Sequence, residues 1–423
     1  MAHDVLVVGT YPREHAIAWK LKQSSKVGTV YIAPGNGGTH NVCENVQIAV
    51  NELEKLADFA QEKNIALTVV GPENPLADGI VDVFQARGLR IWGPTKAAAQ
   101  IESSKAFSKT LMREEGIPTA EFEVFTEYED ALAYVRGKGA PIVVKADGLV
   151  FGKGAYVCMT LDEAEQALKE IMVDNVLKTA PKVVIEEYLD GQEISIHAIS
   201  DGESAVVFPT SQDHKTIGEN DTGKMTGGMG AVAPVTWVTE EELANIDARI
   251  VRPAIAALKK RGSPLVGMLY PGLKMSSRGP KVLEFNARFG CPEAEVYMRL
   301  LKSDAFDLFN ACIDGTLADF KVEWHDGFAV SVIIASAGYP DVYKKGLQIS
   351  GIEDAEKIEN VTVFHAGTKS ESGTLVTDGG RVLSVTAIGP TLKAALDKAY
   401  EAADKIQFEG KYYRRDIGAK ALT

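Results

Sequence analysis

Four short apolar runs, Val5–Val8, Val30–Ala33, Leu67–Val70 and Leu89–Ile91, punctuate the first hundred residues, with amphipathic stretches between them. That alternation predicts βαβ units and therefore a parallel sheet covered on both faces. Ligands of such sheets sit beyond the carboxyl ends of the strands. Three turns fall there: Gly9-Thr10-Tyr11-Pro12-Arg13-Glu14-His15, Ala33-Pro34-Gly35-Asn36-Gly37-Gly38 and Gly71-Pro72-Glu73-Asn74-Pro75. From Ser103 a helix carries Lys105 and Lys109 until Gly116-Ile117-Pro118-Thr119 breaks it. Strands are predicted next at Ile142–Lys145, Ala155–Met159 and Lys182–Glu186, with a helix from Leu161 to about Val173, which together describe a small lid-like α+β unit. A helix is predicted from Glu240 to about Arg261; after Trp324 the chain turns strand-rich and closes with an amphipathic helix, Leu392–Ile406.

A length of 423 residues exceeds one ordinary core and predicts several domains. Hydrophobic residues at 45% and charged residues at 24% describe a soluble globular protein. The formal charge of −13 argues against a nucleic-acid partner, because phosphate backbones need a basic face. No apolar stretch approaches the roughly 20 residues of a membrane helix, and the start lacks a signal-peptide pattern, so a cytoplasmic location is expected. Cys43, Cys158, Cys291 and Cys312 show no metal-ligand spacing, and His214 has no partner histidine at such spacing.

Candidate chemistry begins at Val282-Leu283-Glu284-Phe285-Asn286, read as a strand. Residues two apart share a strand face, so Glu284 and Asn286 can aim oxygens at one hard cation, as a magnesium nucleotide requires. The plainer alternative is a polar, solvated strand face. Lys145 ends a buried strand, and Gly152-Lys153-Gly154 follows in a turn whose glycines let backbone N–H groups approach an anion. This describes a flexible phosphate cover, although a glycine hairpin with a surface lysine explains the turn equally well, and no Walker loop is present. Val183–Glu193 is an apolar strand ending in a hinge, where exposed backbone could pair with an adenine edge and Glu193 with ribose hydroxyls. Gly223–Gly230 is a second glycine-rich loop, preceded by Ser211-Gln212-Asp213-His214-Lys215.

In order along the chain, REHAIAWK, APGN, VVGPE, ESSKAFSK, VVKADGL, GKG, VIEEYLDGQE, SQDHK, TGGMGA, VLEFNARFG, FHAGTK, GGRVLSVTA and YRRDIG resemble the ATP-grasp carboxylate–amine ligases, most closely the phosphoribosylamine–glycine ligase family. The resemblance implies an α/β ATP-grasp fold with an N-terminal parallel-sheet (pre-ATP-grasp) domain at 1–102, an ATP-grasp core at 103–323 with its lid at about 119–190, and a C-terminal α+β domain at 324–423. It implies ATP and Mg2+, with Mn2+ as a substitute, and small-molecule carboxylate and amine substrates joined through an acyl phosphate. A monomer or weak dimer is expected, with no membrane partner.

By the same resemblance Lys105 and Lys145 contact ATP phosphates, Gly152, Lys153 and Gly154 close over them, Glu186, Glu187, Tyr188 and Leu189 hold adenine, and Glu193 holds ribose. Glu284 and Asn286 hold the metal. Lys145, Arg288, Asp213 and Lys215 are the catalytic candidates. The substrate side comprises Arg13, Glu14, Asn36 and Glu73 from the N-terminal turns, with Asp213, Gly227, Gly228, Met229, Arg288 and Cys291 from the core.

The chain departs from the family pattern at four places. Thr10-Tyr11-Pro12 replaces glycines whose amides cradle a phosphate, and Pro12 has no N–H to donate. Cys291 stands where an aspartate is usual, Lys224-Met225 where Pro-Asn is usual, and Val150-Phe151 where two alanines flank the lid. Most of these lie on the substrate side. Three readings therefore stay open: the purine enzyme itself, a divergent paralogue joining another acid or amine in a specialised pathway, and a non-catalytic nucleotide-binding protein.

Overall fold

The computed structural model describes residues 2–150 and 154–422. Strands β1 (His3–Gly9), β2 (Val27–Pro34), β3 (Glu44–Asn45), β4 (Leu67–Val70) and β5 (Ile91–Trp92) form a parallel sheet in the order β3-β2-β1-β4-β5. Val5 to Val8 and Leu67 to Val70 are essentially inaccessible, because helices cover both faces of the sheet and leave no polar face for alternation to mark. The fourth run, read as Leu89–Ile91, is corrected to Ile91–Trp92. Gly88 adopts a φ of +70°, and the Leu89 N–H donates to Phe84 O, so Leu89 closes the preceding helix and does not open the strand.

Helix α1 (Pro12–Leu21) starts straight from the first turn, with Pro12 where an N–H would go unused in any case. Its third residue, Glu14, lies under the sheet's carboxyl end against two glycines. A Cβ at Gly9 would sit 2.1 Å from Glu14 Cγ, and one at Gly71 would sit 2.0 Å from Glu14 Oε1. Gly71→Ala is therefore expected to destabilise the fold by about 3 kcal/mol through overpacking, read from urea unfolding midpoints. An unchanged midpoint would show that Glu14 moves aside freely.

Helix α2 (Lys105–Glu114) is capped by Ser104, whose hydroxyl accepts the Phe107 N–H at 3.2 Å, and carries Lys105 and Lys109 one turn apart. Beyond it, β6 (Phe122–Phe125), β7 (Ile142–Ala146), β8 (Ala155–Cys158) and β9 (Val183–Glu187) form an antiparallel sheet ordered β6-β9-β7-β8, with helices Tyr128–Lys138 and Leu161–Met172 packed over it. The 11-residue strand Val266–Ser276 pairs with Gln192–Ser195, Ala198–Asp201 and Gly279–Asn286, and so organises the second half of the core.

The helix expected from Glu240 to about Arg261 is interrupted: Glu240–Ile246 and Arg252–Lys260 flank a π-helical stretch, Asp247–Val251. Pro253 has no N–H and crowds the carbonyl four residues earlier, and the ladder widens to accommodate it. A further sheet takes Gln212–Asp213 and Gly230–Ala233 from the core and Phe328–Ser336, Val361–His365, Arg381–Gly389 and Lys411–Tyr412 from the C-terminal part. That shared sheet brings C-terminal side chains to the core loops. Among the described residues no helix is long and apolar enough to cross a membrane.

Candidate active site

The strand Gly279–Asn286 sets Glu284 opposite Gly272 and Asn286 opposite Tyr270, which places the two side chains on one face. Glu284 lines a narrow cleft together with Glu193, Asp213 and Lys215. Its carboxylate has no hydrogen bond or ion pair among the described residues. Burial alone would raise its pKa, but Lys215, Lys105, Lys145 and Arg288 outweigh burial and keep it below the ordinary carboxylate range. Asp213 is the opposite case: burial and the nearby Glu293 push its carboxyl well up, and its buried Oδ1 has no hydrogen-bond partner among the described residues. Lys215 stays charged among Tyr270, Glu284, Asp213 and Glu193.

No group of three or more metal-ligating side chains occurs among the described residues. Magnesium does not require such a group, since one or two protein oxygens hold it while phosphates and water supply the rest. Glu284 fits because it is ionised and unpartnered. Asn286 Oδ1 accepts from Arg288 at 3.2 Å and, with a second lone pair, can still serve a cation.

On the nucleotide side, Lys145 pairs with Glu186 at 2.9 Å and donates to Leu283 O at 3.0 Å, and Lys105 donates to Gly148 O at 3.0 Å, at the start of the lid turn. Gly154 is described, whereas the expected phosphate contacts Gly152 and Lys153 lie outside the described residues. The Glu186 side chain points into the protein and not toward a base. Glu187 is held by Lys281, Arg278 and the Glu121 N–H, and despite partial burial these hold its carboxyl down at about 2. The backbone of Tyr188 and Leu189, just past the end of β9, makes no hydrogen bond among the described residues, so it is the part of this segment open to a base edge.

On the substrate side, Arg288 is clasped by Glu73 at 3.3 Å and Glu102 at 3.0 Å. Arg13 donates to Phe289 O at 3.0 Å and pairs with Glu14. Two expected substrate residues are spent on scaffolding. Asn36 donates to Thr10 O and His365 O, both at 2.8 Å, and accepts from the Gly38 and Thr39 N–H groups, which uses every hydrogen-bonding valence of its side chain. Glu14 accepts from the Tyr11 N–H at 2.7 Å besides pairing with Arg13. Met229 is fully buried in the core, its N–H donating to His214 O and its carbonyl accepting from the Ile333 N–H, so it offers a substrate neither side chain nor backbone. Gly228 has a φ of +105°, and a Cβ there would lie 2.7 Å from Asp213 Oδ1, so that residue must be glycine for the loop to close on Asp213. The Cys291 thiol is buried and pushed up in pKa, and it donates to Glu295 at 3.5 Å.

Family models described as phosphoribosylglycinamide synthetase match in three pieces: the N domain over residues 3–102, the ATP-grasp (A) domain over 103–294 and the C domain over 329–420. This chain belongs to the phosphoribosylglycinamide synthetase family. A phosphoribosylamine–glycine ligase from Pasteurella multocida is 49% identical over 424 residues, covering 99% of this chain and 98% of the relative, and one from Chlorobaculum tepidum is 47% identical over 423 residues, covering 99% and 100%. The crystal structure of a phosphoribosylamine–glycine ligase from Thermotoga maritima superposes with a TM-score of 0.84 at 34% identity, covering 98% of this chain and 100% of that one. A biotin carboxylase from Campylobacter jejuni shares the fold, with a TM-score of 0.75 at 13% identity over 100% of this chain and 96% of its own. As a member of the phosphoribosylglycinamide synthetase family, the chain is an ATP-grasp ligase that forms carbon–nitrogen amide bonds.

Two side chains at the site of this chain escaped the sequence reading. Glu293, 1% exposed, accepts from Tyr270 OH at 2.6 Å and Ser195 Oγ at 2.9 Å beside Asp213. Arg381, from the C-terminal part, donates to the carbonyls of Gly227 and of Cys291 (2.9 Å) and lies 6.0 Å from the Tyr11 ring centroid. Both stand in motifs that carry the resemblance, in or next to FNARFG and GGRVLSVTA, but only the fold shows where they point.

Proposed function

We propose that this chain makes glycinamide ribonucleotide from glycine, 5-phosphoribosylamine and ATP, with Mg2+, as a cytoplasmic step of purine biosynthesis. The observation that carries the reading is the convergence of Glu193, Asp213, Lys215 and Glu284 on one cleft, with Glu284 left unpartnered for a cation. The near-complete overlap with relatives named for these two substrates supports the choice of acid and amine. All the residues invoked come from one chain, so a monomer suffices.

Glu284 and Asn286 hold the metal, which when bound supplies charge neutralisation where two anions must meet. Lys105 and Lys145 hold the phosphates, Glu193 the ribose, and the backbone of Tyr188 and Leu189 the adenine edge. Arg288, fixed in direction by Glu73 and Glu102, orients the glycine carboxylate. A carboxylate oxygen attacks the γ-phosphorus, ADP departs, and the resulting acyl phosphate is attacked by the amine, releasing phosphate and leaving the amide. Asp213, in its ionised form, takes up the proton lost by the amine from its place in the lining of the cleft.

The test is ADP release with glycine plus phosphoribosylamine, set against a panel of other amino acids and amines. Turnover confined to the purine pair is the expected result. Faster turnover with another acid or amine would assign the chain to a divergent ligase, and nucleotide binding without turnover on any pair would remove the catalytic reading.

A further inference from the structure

Behind the cleft, Glu186 and Lys109, two charged side chains that the proposed chemistry leaves without a role, form a set with Lys145. Glu186, 2% exposed on β9, divides its carboxylate between two lysines: Oε2 accepts from Lys109 at 2.8 Å and Oε1 pairs with Lys145 at 2.9 Å. Lys109, 2% exposed on α2, also donates to Thr119 Oγ1 at 2.7 Å and to Val282 O at 3.4 Å, so its three N–H groups all have acceptors within the protein. Among the described residues Lys145 has two partners, Glu186 and Leu283 O, which leaves its third N–H without an acceptor there. It is also the member on the cleft side: Leu283 lines the cleft, and Glu284 is held ionised partly by Lys145. One carboxylate between two ammonium groups leaves one net positive charge. With a single lysine the buried pair would be neutral and its attraction undivided.

We infer that Lys109 is a positioning residue for Lys145, occupying half of Glu186 so that the charge and the spare N–H of Lys145 remain available to nucleotide phosphates. The inference rests on the reading of Lys145 as a phosphate contact. Lys109 itself never reaches the ligand, because its donors are all engaged behind the strand Gly279–Asn286. Thr119 and Val282 hold it there, and their bond to each other at 2.7 Å fixes the geometry.

The experiment is calorimetric titration of the full-length protein with ADP in the presence of magnesium, and with adenosine as a ligand without phosphates. Lys109→Met is expected to weaken ADP binding about tenfold, because Glu186 then claims Lys145 alone, and to leave adenosine binding unchanged. Lys109→Arg keeps the charge and is expected to stay within about threefold of wild type. The double variant Lys109→Met with Glu186→Gln, in which no carboxylate remains to claim Lys145, is expected to return to within about threefold of wild type. A packing role alone predicts no such rescue.

Wild-type ADP affinity in Lys109→Met, or failure of the double variant to recover, overturns the inference. Lys145→Met serves as the reference. If it binds ADP as wild type does, the phosphate reading of Lys145 falls and the inference with it; if it is weak while Lys109→Met is normal, the inference alone falls. Should Lys109→Met not fold by circular dichroism, Glu186→Gln decides. Equal or tighter ADP binding supports the inference, and a loss of about tenfold overturns it.

Discussion

Replacement of Glu284 by alanine is expected to lower amide formation on the order of 10^3-fold while leaving the folded state in place. The catalytic loss follows from the charge balance. Phosphoryl transfer from ATP to a carboxylate brings two anions together, and Glu284 is the ionised, unpartnered group available in the cleft to hold the cation between them. The stability forecast follows from the same facts. Glu284 makes no hydrogen bond among the described residues, and the cost of burying its charge offsets much of the attraction of the surrounding lysines and Arg288, so the change in unfolding free energy stays within about 1 kcal/mol. ADP release and urea unfolding measured on the same preparation test both halves. Near-normal turnover would remove Glu284 from the metal site, and a large loss of stability would mean that the lysines around it depend on it structurally.

Arg288→Met is expected to cost about 3 kcal/mol of stability as well as activity. Glu73 and Glu102 both lean on this guanidinium, at 3.3 and 3.0 Å, and Arg13, which pairs with Glu73 only at 3.9 Å and is already engaged by Glu14, makes up only part of the loss. Glu102 already sits above the ordinary carboxylate range because burial, reinforced by Glu73, exceeds the pull of Arg288. Without Arg288 it rises further. A carboxyl whose folded pKa exceeds its unfolded value binds more protons when folded, so stability falls as pH rises. The deficit of Arg288→Met against wild type should therefore be larger at pH 8 than at pH 5, read by denaturant unfolding at both. A deficit that is flat or larger at pH 5 would place the defect in lost packing and not in two stranded carboxylates.

Local order was legible wherever short-range physics decides it. The runs Val5–Val8, Val30–Ala33 and Leu67–Val70 lie within observed strands because strands buried on both faces must be continuously apolar. Ser104 starts α2 as an N-cap should, and Gly116, at a φ of +67°, follows its end. The misread places are those where one residue serves a neighbour's geometry. Leu89 caps a helix before the strand begins, and Pro253 widens a helix that its hydrophobic periodicity would have continued.

Within the site, residue types with obvious chemistry were visible, and their availability was not. Glu284, Asp213, Lys215 and Glu193 could be nominated because cation and phosphate chemistry needs such groups. Asn36 and Glu14 could be nominated on the same grounds, yet every side-chain valence of Asn36 is taken by backbone groups, one of them at His365. Counting valences requires knowing the partners, and partners 329 residues apart leave no local trace.

The amino-acid order alone determined the βαβ alternation of the first hundred residues, the family resemblance and the chemical repertoire, since periodicity, turn residues and side-chain type act over a few positions. Folding in three dimensions decided which charges are free and which are spent. It set Glu186 between two lysines, brought Arg381 across a shared sheet to the Gly227 loop, and left Glu284 without a hydrogen-bond or ion-pair partner among the described residues. Those outcomes depend on distances between segments far apart in the chain, where burial and Coulomb attraction act without regard to sequence separation.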